Sequence, residues 1–300
     1  MAKYLILSAW ETYRSDGLRV LMEQVLRYLT LYGSPFKIAR YWLLRTFGNP
    51  LQLVRVQGSV MRLDLRDRGI HADLFINGIR EPQATKHLQS IIKPDWTMVD
   101  IGANIGYYVL MEARRAKMVY AIEPGPENFK NLTHNVGVNG NLNVRSFQLA
   151  VGDHEGVVGF TLAKASNWNK VAADGKGDIE VQMTTLDKFL GGKKVDFVRM
   201  DVEGYEMAIL RGMDRTLRES RPDMFIEVHR DMLREFGSSQ LEFMELLARH
   251  GYCVSKSFIS ARPGLEGRIV DLLADPVSRR EITERGIASH FFFTAEERWN

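Results

Sequence analysis

The sequence predicts an α/β chain: a doubly wound, mostly parallel sheet with helices on both faces and an antiparallel edge strand. Three observations predict it. From Met98 to Thr294, short apolar runs alternate with segments of helical period, the pattern of strands linked by crossover helices. The run Met98–Ile101 breaks into the turn Gly102-Ala103-Asn104-Ile105-Gly106, as a buried strand feeding a helix through a tight loop does. Further runs end on acids, at Glu123, at Asp201-Val202-Glu203 and at Glu227-Val228-His229. In such a sheet, strand carboxyl ends open on one ligand crevice.

Taken in order, residues 1–50 read as a helical extension. Leu18, Leu21, Met22, Val25 and Leu29 recur at helical spacing, Gly33-Ser34-Pro35 interrupts, and a second helix follows through Trp42 and Leu44. Residues 51–80 read as a strand-rich entry, with a hairpin turn at Gly58-Ser59. Pro82 opens a helix, a position where its missing N–H costs nothing. The core then spans 84–296, within a domain covering 51–300. Its strands are read at Met98–Ile101, Met118–Ile122, Val144–Val151 with Gly156–Leu162 as hairpin companion, Val195–Val202, Met224–Val228, Tyr252–Ser257 and His290–Thr294. Residues 163–180 and 259–287 are polar and glycine-bearing, hence candidate substrate loops.

Charge narrows the function classes. Residues 1–50 hold seven Lys/Arg against three Asp/Glu, whereas the remainder holds 33 against 34. The near-neutral body argues against a nucleic-acid partner. The basic, aromatic-bearing stretch 18–45 could touch a membrane surface, although a packed amphipathic extension explains it as well. No apolar run is long enough to span a bilayer. One cysteine, Cys253, excludes an internal disulfide framework and fits a cytoplasmic location.

The turn and the acids suggest a cofactor. Glu123 ends the second strand, where an acid can accept both hydroxyls of a ribose. The dinucleotide spacing G-x-G-x-x-G is absent, as is a G-K-[S/T] loop. That favours a ribose-bearing cofactor without phosphate, of which S-adenosylmethionine is the common one. A nicotinamide-dependent oxidoreductase and a non-catalytic cofactor-binding scaffold are the rival readings; the missing third glycine speaks against the former.

The chain resembles the FkbM-type S-adenosylmethionine-dependent methyltransferases, a Rossmann-like class I group. The matching segments are V-D-I-G-A-N-I-G-Y-Y (99–108), A-I-E-P (121–124), L-A-V-G-D (149–153), T-L-D-K-F (185–189), V-D-F-V-R-M-D-V-E-G-Y-E-M-A-I-L-R-G (195–212) and P-D-M-F-I-E-V-H (222–229). The resemblance implies that Asp100, Gly102, Ala103, Asn104, Gly106 and Tyr107 line the methionine side of the cofactor. It places Glu123 and Pro124 at the ribose and Asn128, Ala150 and Val151 at the adenine. It also implies methylation of a hydroxyl on a small molecule, glycan or lipid-linked acceptor.

Chemistry of the strand ends completes the expectation. Moving a methyl group to oxygen requires alignment and a proton acceptor. His229, whose ordinary pKa lies near neutrality, is the preferred base, with Asp201 and Glu227 beside it. The same three residues form an oxygen/nitrogen set for a divalent ion, a less favoured reading. Glu203 could bind the acceptor or simply cap the next helix. Asn167 and Trp168 offer amide groups and a stacking face for a sugar, or belong to an ordinary loop in which Trp168 packs down; Tyr107, Tyr108 and Glu81 are candidates for the cofactor entrance, with helix core the alternative for Tyr108.

Overall fold

The computed structural model of the protein describes residues 35–163, 165–258, 265–282 and 290–298. The helix expected around 18–29 lies outside them, as do most of the 18–45 stretch, Lys164 and much of the loop 259–287. The chain enters through α1 (Pro35–Phe47), the hairpin β1 (Leu51–Val56) and β2 (Ser59–Asp64), α2 (Ile70–Asn77) and α3 (Pro82–Ile91). Next come β3 (Thr97–Ile101), α4 (Tyr107–Ala113), β4 (Met118–Ile122), α5 (Pro126–Val138), β5 (Val144–Phe147), β6 (Ala150–Gly152), β7 (Gly156–Thr161), β8 (Lys170–Val171), β9 (Ile179–Thr185) and α6 (Leu186–Leu190). The second half carries β10 (Phe197–Met200), α7 (Glu206–Arg211), α8 (Asp214–Glu219), β11 (Asp223–Glu227), α9 (Arg230–Glu235) and α10 (Gln240–Arg249). It ends with β12 (Tyr252–Phe258), β13 (Gly267–Arg268), α11 (Ile269–Ala274), α12 (Pro276–Arg280) and β14 (His290–Ala295).

Eight strands form one sheet in the order β13-β12-β14-β11-β10-β3-β4-β5. The block from β11 to β5 is parallel, β14 runs antiparallel between β11 and β12, and the two-residue β13 forms the edge. Side chains of a strand alternate between faces, and here both faces are covered. Val99, Val198, Met200, Met224, Ile226, Phe291 and Phe293 pack with α6, α7, α8, α10 and α11 on one side. Met98, Phe197, Phe225 and Phe292 pack with α2, α3, α4 and α5 on the other. Burial on two faces is why these strands read as continuous apolar runs. The chain winds outward from β3 to β5, then returns to β10 on the opposite side of β3. This reversal places the ligand crevice of the sheet at the ends of β3 and β10.

Between β5 and β10 the structure departs from the expected single strand over 144–151. The chain leaves the main sheet after Phe147, and β6 joins a separate four-stranded sheet ordered β6-β9-β7-β8. The segment 156–161 pairs with β9 and β8 instead of with β5. Strand period persists through the change of sheet, so the break leaves no mark in the sequence pattern. The entry segment also holds α2, an eight-residue helix closed by Gly78 in the left-handed region. Among the described residues no helix is long and apolar enough to cross a membrane. Cys253 is buried with a free thiol.

Candidate active site

Two glycines and a tethered carboxyl build the turn after β3. Gly102 has φ +78°, and a Cβ there would overlap the carbonyl oxygen of Asp201 at the end of β10. Only glycine admits both the conformation and the close approach. Gly106, at φ +89°, opens α4 and leaves room for Leu132. The amides of Gly102 and Ala103 both donate to the carbonyl of Ile122, each at 3.0 Å. Asn104 N–H donates to Glu123 Oε2, and Gly125 N–H donates to Glu123 Oε1, each at 2.8 Å. Both oxygens of Glu123 are thereby aimed by backbone. Burial pushes its carboxyl up to about 7, against the stabilising amides of Gly125 and Asn104.

Below the turn sits an ion-pair relay. Arg199 Nη1 donates to Asp100 Oδ1 at 2.9 Å, and Nη2 donates to Asp201 Oδ2 at 3.0 Å. Its guanidinium also lies 4.0 Å from the ring centroid of Tyr108, a cation–π geometry. Asp100 is fully buried, and burial raises its pKa although Arg199 opposes the shift.

Acids and histidines crowd the neighbouring strand ends. His229 Nδ1 lies 2.9 Å from Glu206 Oε1, and its Nε2 lies 3.2 Å from Glu203 Oε2 and 3.6 Å from Glu227 Oε1. His290 Nε2 lies 3.2 Å from Glu227 Oε2 and 3.3 Å from Glu81 Oε2. Glu227 thus bridges the two imidazoles. Glu81 further accepts from the Tyr108 hydroxyl at 2.6 Å and pairs with Arg80 Nε at 2.7 Å. Burial disfavours charge on both histidines, yet Glu206 and Asp201 raise His229 to about 10, and Glu227 and Glu81 raise His290 to about 10. Burial pushes Glu203 up to about 7 against the opposing pull of His229. Glu81, Asn104 and Glu203 all adopt positive φ. Three such non-glycine residues around one crevice are the backbone strain expected of a functional site.

The crevice has two arms. The larger cavity, about 560 Å³, is bordered by Glu123, Pro124, Asn128, Ala150 and Val151 at one end and by Asp201, Glu203 and Tyr205 at the other. The smaller, about 300 Å³, is bordered by Arg80, Ala103, Tyr107 and Tyr108. Gly102, Asn104, Asn167 and Asp201 border both.

Comparison with known proteins decides the family. The profile of the methyltransferase FkbM domain matches residues 100–254, just over half of the 300-residue chain. The chain belongs to the FkbM methyltransferase family. Methyltransferase 1 of Beauveria bassiana is 26% identical over 147 residues, covering 40% of this chain and 59% of that protein. Hexuronic acid methyltransferase AglP of Haloferax volcanii is 27% identical over 140 residues, covering 45% and 56%. The 2-O-methyltransferase NoeI of Sinorhizobium fredii is 25% identical over 175 residues, covering 49% and 71%. The chain therefore spans less than two thirds of the first two relatives. The crystal structure of methyltransferase FkbM from Methylobacillus flagellatus aligns with a TM-score of 0.36 at 18% identity, over 52% of this chain and 41% of that one.

Within this FkbM domain, the structure sorts the expected site residues. Gly102, Ala103, Asn104, Tyr107, Glu123, Pro124, Asn128, Ala150, Val151, Asn167, Asp201 and Glu203 border one arm or both. Asp100, Gly106, Glu227 and His229 border neither. Asp100 is buried beneath the turn and paired to Arg199, an arrangement that supports the loop from below. Trp168 borders neither arm and stands on a short 3-10 turn with 62% of its surface exposed. That turn is fastened over the crevice, since Ser166 N–H donates to Asp67 Oδ2 at 2.9 Å and Asn128 Nδ2 donates to the Ser166 carbonyl at 3.0 Å.

Asp201, Glu227 and His229 do converge, with ligand atoms within 4.8 Å of one another, as do Glu81, Glu227 and His290. Each imidazole faces carboxyl groups that favour its protonated form, and that form competes with coordination of a cation. The carboxyl groups of Glu206 and Glu203 around His229 favour its protonated form, which weighs against it as the resting base. Arg80, Arg199, Glu206 and His290 escape sequence reasoning. The one available signal was Arg199, a charge inside the apolar strand F-V-R-M.

Proposed function

We propose that this FkbM-family chain is an S-adenosylmethionine-dependent O-methyltransferase acting on a hydroxyl of a sugar or glycan, free, on a small molecule or lipid-linked. The observation that carries the reading is Glu123. Two backbone amides orient its carboxyl at the end of β4, beside a turn that only glycine can make. Its remaining lone pairs suit the two hydroxyls of a ribose. When bound, the cofactor supplies an electrophilic methyl group on a sulfonium.

The chain's own residues divide the remaining work. Glu123 fixes the ribose, while Asn128, Ala150 and Val151 border the base. Glu203, at the other end of the larger cavity and pushed up to about 7, is suited to take the proton of an acceptor hydroxyl near neutral pH. His229, as an imidazolium 3.2 Å away, positions that carboxyl and favours its charged form. Asn167 and the exposed face of Trp168 provide an amide and a stacking surface at the rim. The names of two relatives specify a hexuronic acid and a 2-O position, which supports a carbohydrate hydroxyl.

Isothermal titration with S-adenosylmethionine and with NAD tests the donor. Binding of the first but not the second, abolished by Glu123→Ala, is expected; the opposite preference sinks the reading. Methyl-labelled cofactor offered with uronic acids, neutral sugars and a cell extract tests transfer. Alkali-stable label on a sugar oxygen is the expected product, and absence of label from every acceptor overturns the enzymatic part.

A further inference from the structure

The entry segment carries an outer face that the crevice does not use. Of the eleven large apolar side chains that stand exposed among the described residues, four fall within residues 43–53: Leu43 at 60%, Phe47 at 83%, Leu51 at 44% and Leu53 at 64%. A single exposed leucine is ordinary, whereas a cluster marks an interaction surface. Local geometry gathers the four. Leu43 and Phe47 are one helical turn apart on α1, Leu51 and Leu53 share the outward side of β1, and only three residues separate the two elements. The inward side of α1 is occupied: Tyr41 is buried with Leu65, Ala72 and Ile76, and Ile38, Trp42 and Leu44 pack on that cluster. Tyr41 and Trp42 therefore face the protein, and the free surface lies on the leucines and Phe47.

Charge decides what covers this face. Residues 35–63 hold five Lys/Arg and no Asp/Glu. Lys37, Arg40 and Arg55 are exposed, and Arg55 stands on the same outward side of β1 as Leu51 and Leu53. Arg40 rests over the Phe75 ring at 5.3 Å and Arg55 donates to the Gly58 carbonyl at 3.4 Å, contacts that neutralise neither charge. Asp64, the register partner of Leu51, is engaged by Arg66. Apolar side chains accompanied by cations suit an anionic lipid surface, where the former enter the headgroup boundary and the latter reach lipid phosphates. A second copy would bring the same basic face, and residues 18–32, with two Arg against one Glu, bring no net negative charge. We propose that the outer face of α1 and β1 docks on an anionic lipid bilayer. The proposal goes beyond the methyl-transfer reading and does not depend on it.

Vesicle flotation of the full chain tests it, with phosphatidylcholine alone set against phosphatidylcholine containing phosphatidylserine. The unaltered protein is expected to float with the anionic vesicles, to stay behind with the neutral ones, and to be released by high salt. Each basic side chain near such a surface corresponds to about a fivefold change in binding, so Lys37→Glu combined with Arg55→Glu should weaken it by about twenty-five-fold or more. Phe47→Ser combined with Leu53→Ser should weaken it by about tenfold or more with the charge unchanged. Leu142→Ser, which removes a leucine 97% exposed on another part of the chain, is the control and should float like the unaltered protein. The replaced side chains are all exposed, so the variants should keep the unaltered melting temperature. Failure of the unaltered protein to float with anionic vesicles overturns the proposal, as does equal flotation with neutral ones. Binding that survives both double variants also overturns it, by placing the contact outside this face. A dimer that dissociates on Phe47→Ser with Leu53→Ser would assign the face to a second copy and overturn it as well.

Discussion

Arg199 and Asp100 are register partners on the adjacent parallel strands β10 and β3, and their side chains meet at 2.9 Å in the interior. The pair ties the two strand ends that form the crevice, because the other arm of Arg199 holds Asp201 at 3.0 Å. Glu112 lies buried in the same neighbourhood with no hydrogen-bond partner, and burial together with Asp100 keeps its pKa well above the carboxylate range. Arg199 is thus the cation paired directly with Asp100 and Asp201 in this cluster.

Removing that cation leaves a buried carboxylate without a partner, which costs about 3–5 kcal/mol. Arg199→Met is expected to lose stability on that scale in chemical denaturation. The double variant Arg199→Met with Asp100→Leu should recover a large part of the loss, since replacing both members of a buried pair by apolar residues is often close to neutral. Equal instability of the single and double variants would refute the pairing as the source of the effect.

Gly102 makes a second expectation. Alanine there meets the carbonyl oxygen of Asp201 and must also hold φ +78°. Gly102→Ala should therefore separate the ends of β3 and β10 and lower cofactor affinity at least tenfold, on the order of the 1–3 kcal/mol that such backbone strain costs. Gly137→Ala, in α5 with nothing within 4 Å of the added atom, is the control and should bind normally. Similar affinities for the two variants would show that the tight turn is dispensable.

The parts of this site that were legible in sequence are those written by strand ends. An apolar run that stops on an acid declares both a buried strand and a residue at its mouth, and Glu123, Asp201, Glu203, Glu227 and His229 were all found that way. What stayed hidden depends on partners far apart in the chain. The charge of Arg199 inside β10 has no meaning until Asp100, 99 residues away, is placed beside it. His290 and Glu81 meet only because β14 inserts next to β11. The same distance dependence bears on His229, because sequence supplies its ordinary pKa but not the carboxyls of Glu206 and Glu203 around it. Locally, β5 and β6 read as one strand because nothing in the period-2 pattern marks a change of sheet.

His290 predicts how stability varies with pH. Its folded-state pKa is about 10, raised by Glu227 and Glu81 above an ordinary value of 6.5. A raised imidazole contributes stability that is fully present below the unfolded value and disappears as pH climbs through the folded one. The melting temperature should fall steadily between pH 7 and about pH 10, with His229 contributing in the same direction. His290→Gln should melt lower at pH 7 and show a shallower fall above it. A variant that retains the full wild-type slope would mean that His290 is not the group being titrated.

Glu203 and His229 give the sharpest test of the chemistry. Burial pushes Glu203 up to about 7 while the imidazolium of His229 pulls the other way. As a proton acceptor, Glu203 works in its charged form, so the rate should rise with pH through a limb near 7 and level off above it. Glu123 shares a value of about 7, and if it holds the ribose as proposed, its protonation would weaken cofactor binding over the same pH range. Measuring kcat at saturating cofactor removes that contribution and leaves the limb to Glu203. Glu203→Gln should lower kcat by about a hundredfold or more. Replacing His229 with asparagine withdraws the stabilising positive charge, so the limb should move to higher pH with a smaller loss in the plateau rate. A limb that moves to lower pH in His229→Asn, or a Glu203→Gln enzyme with near-normal kcat, would return the base to another residue, with Asp201 the next to test.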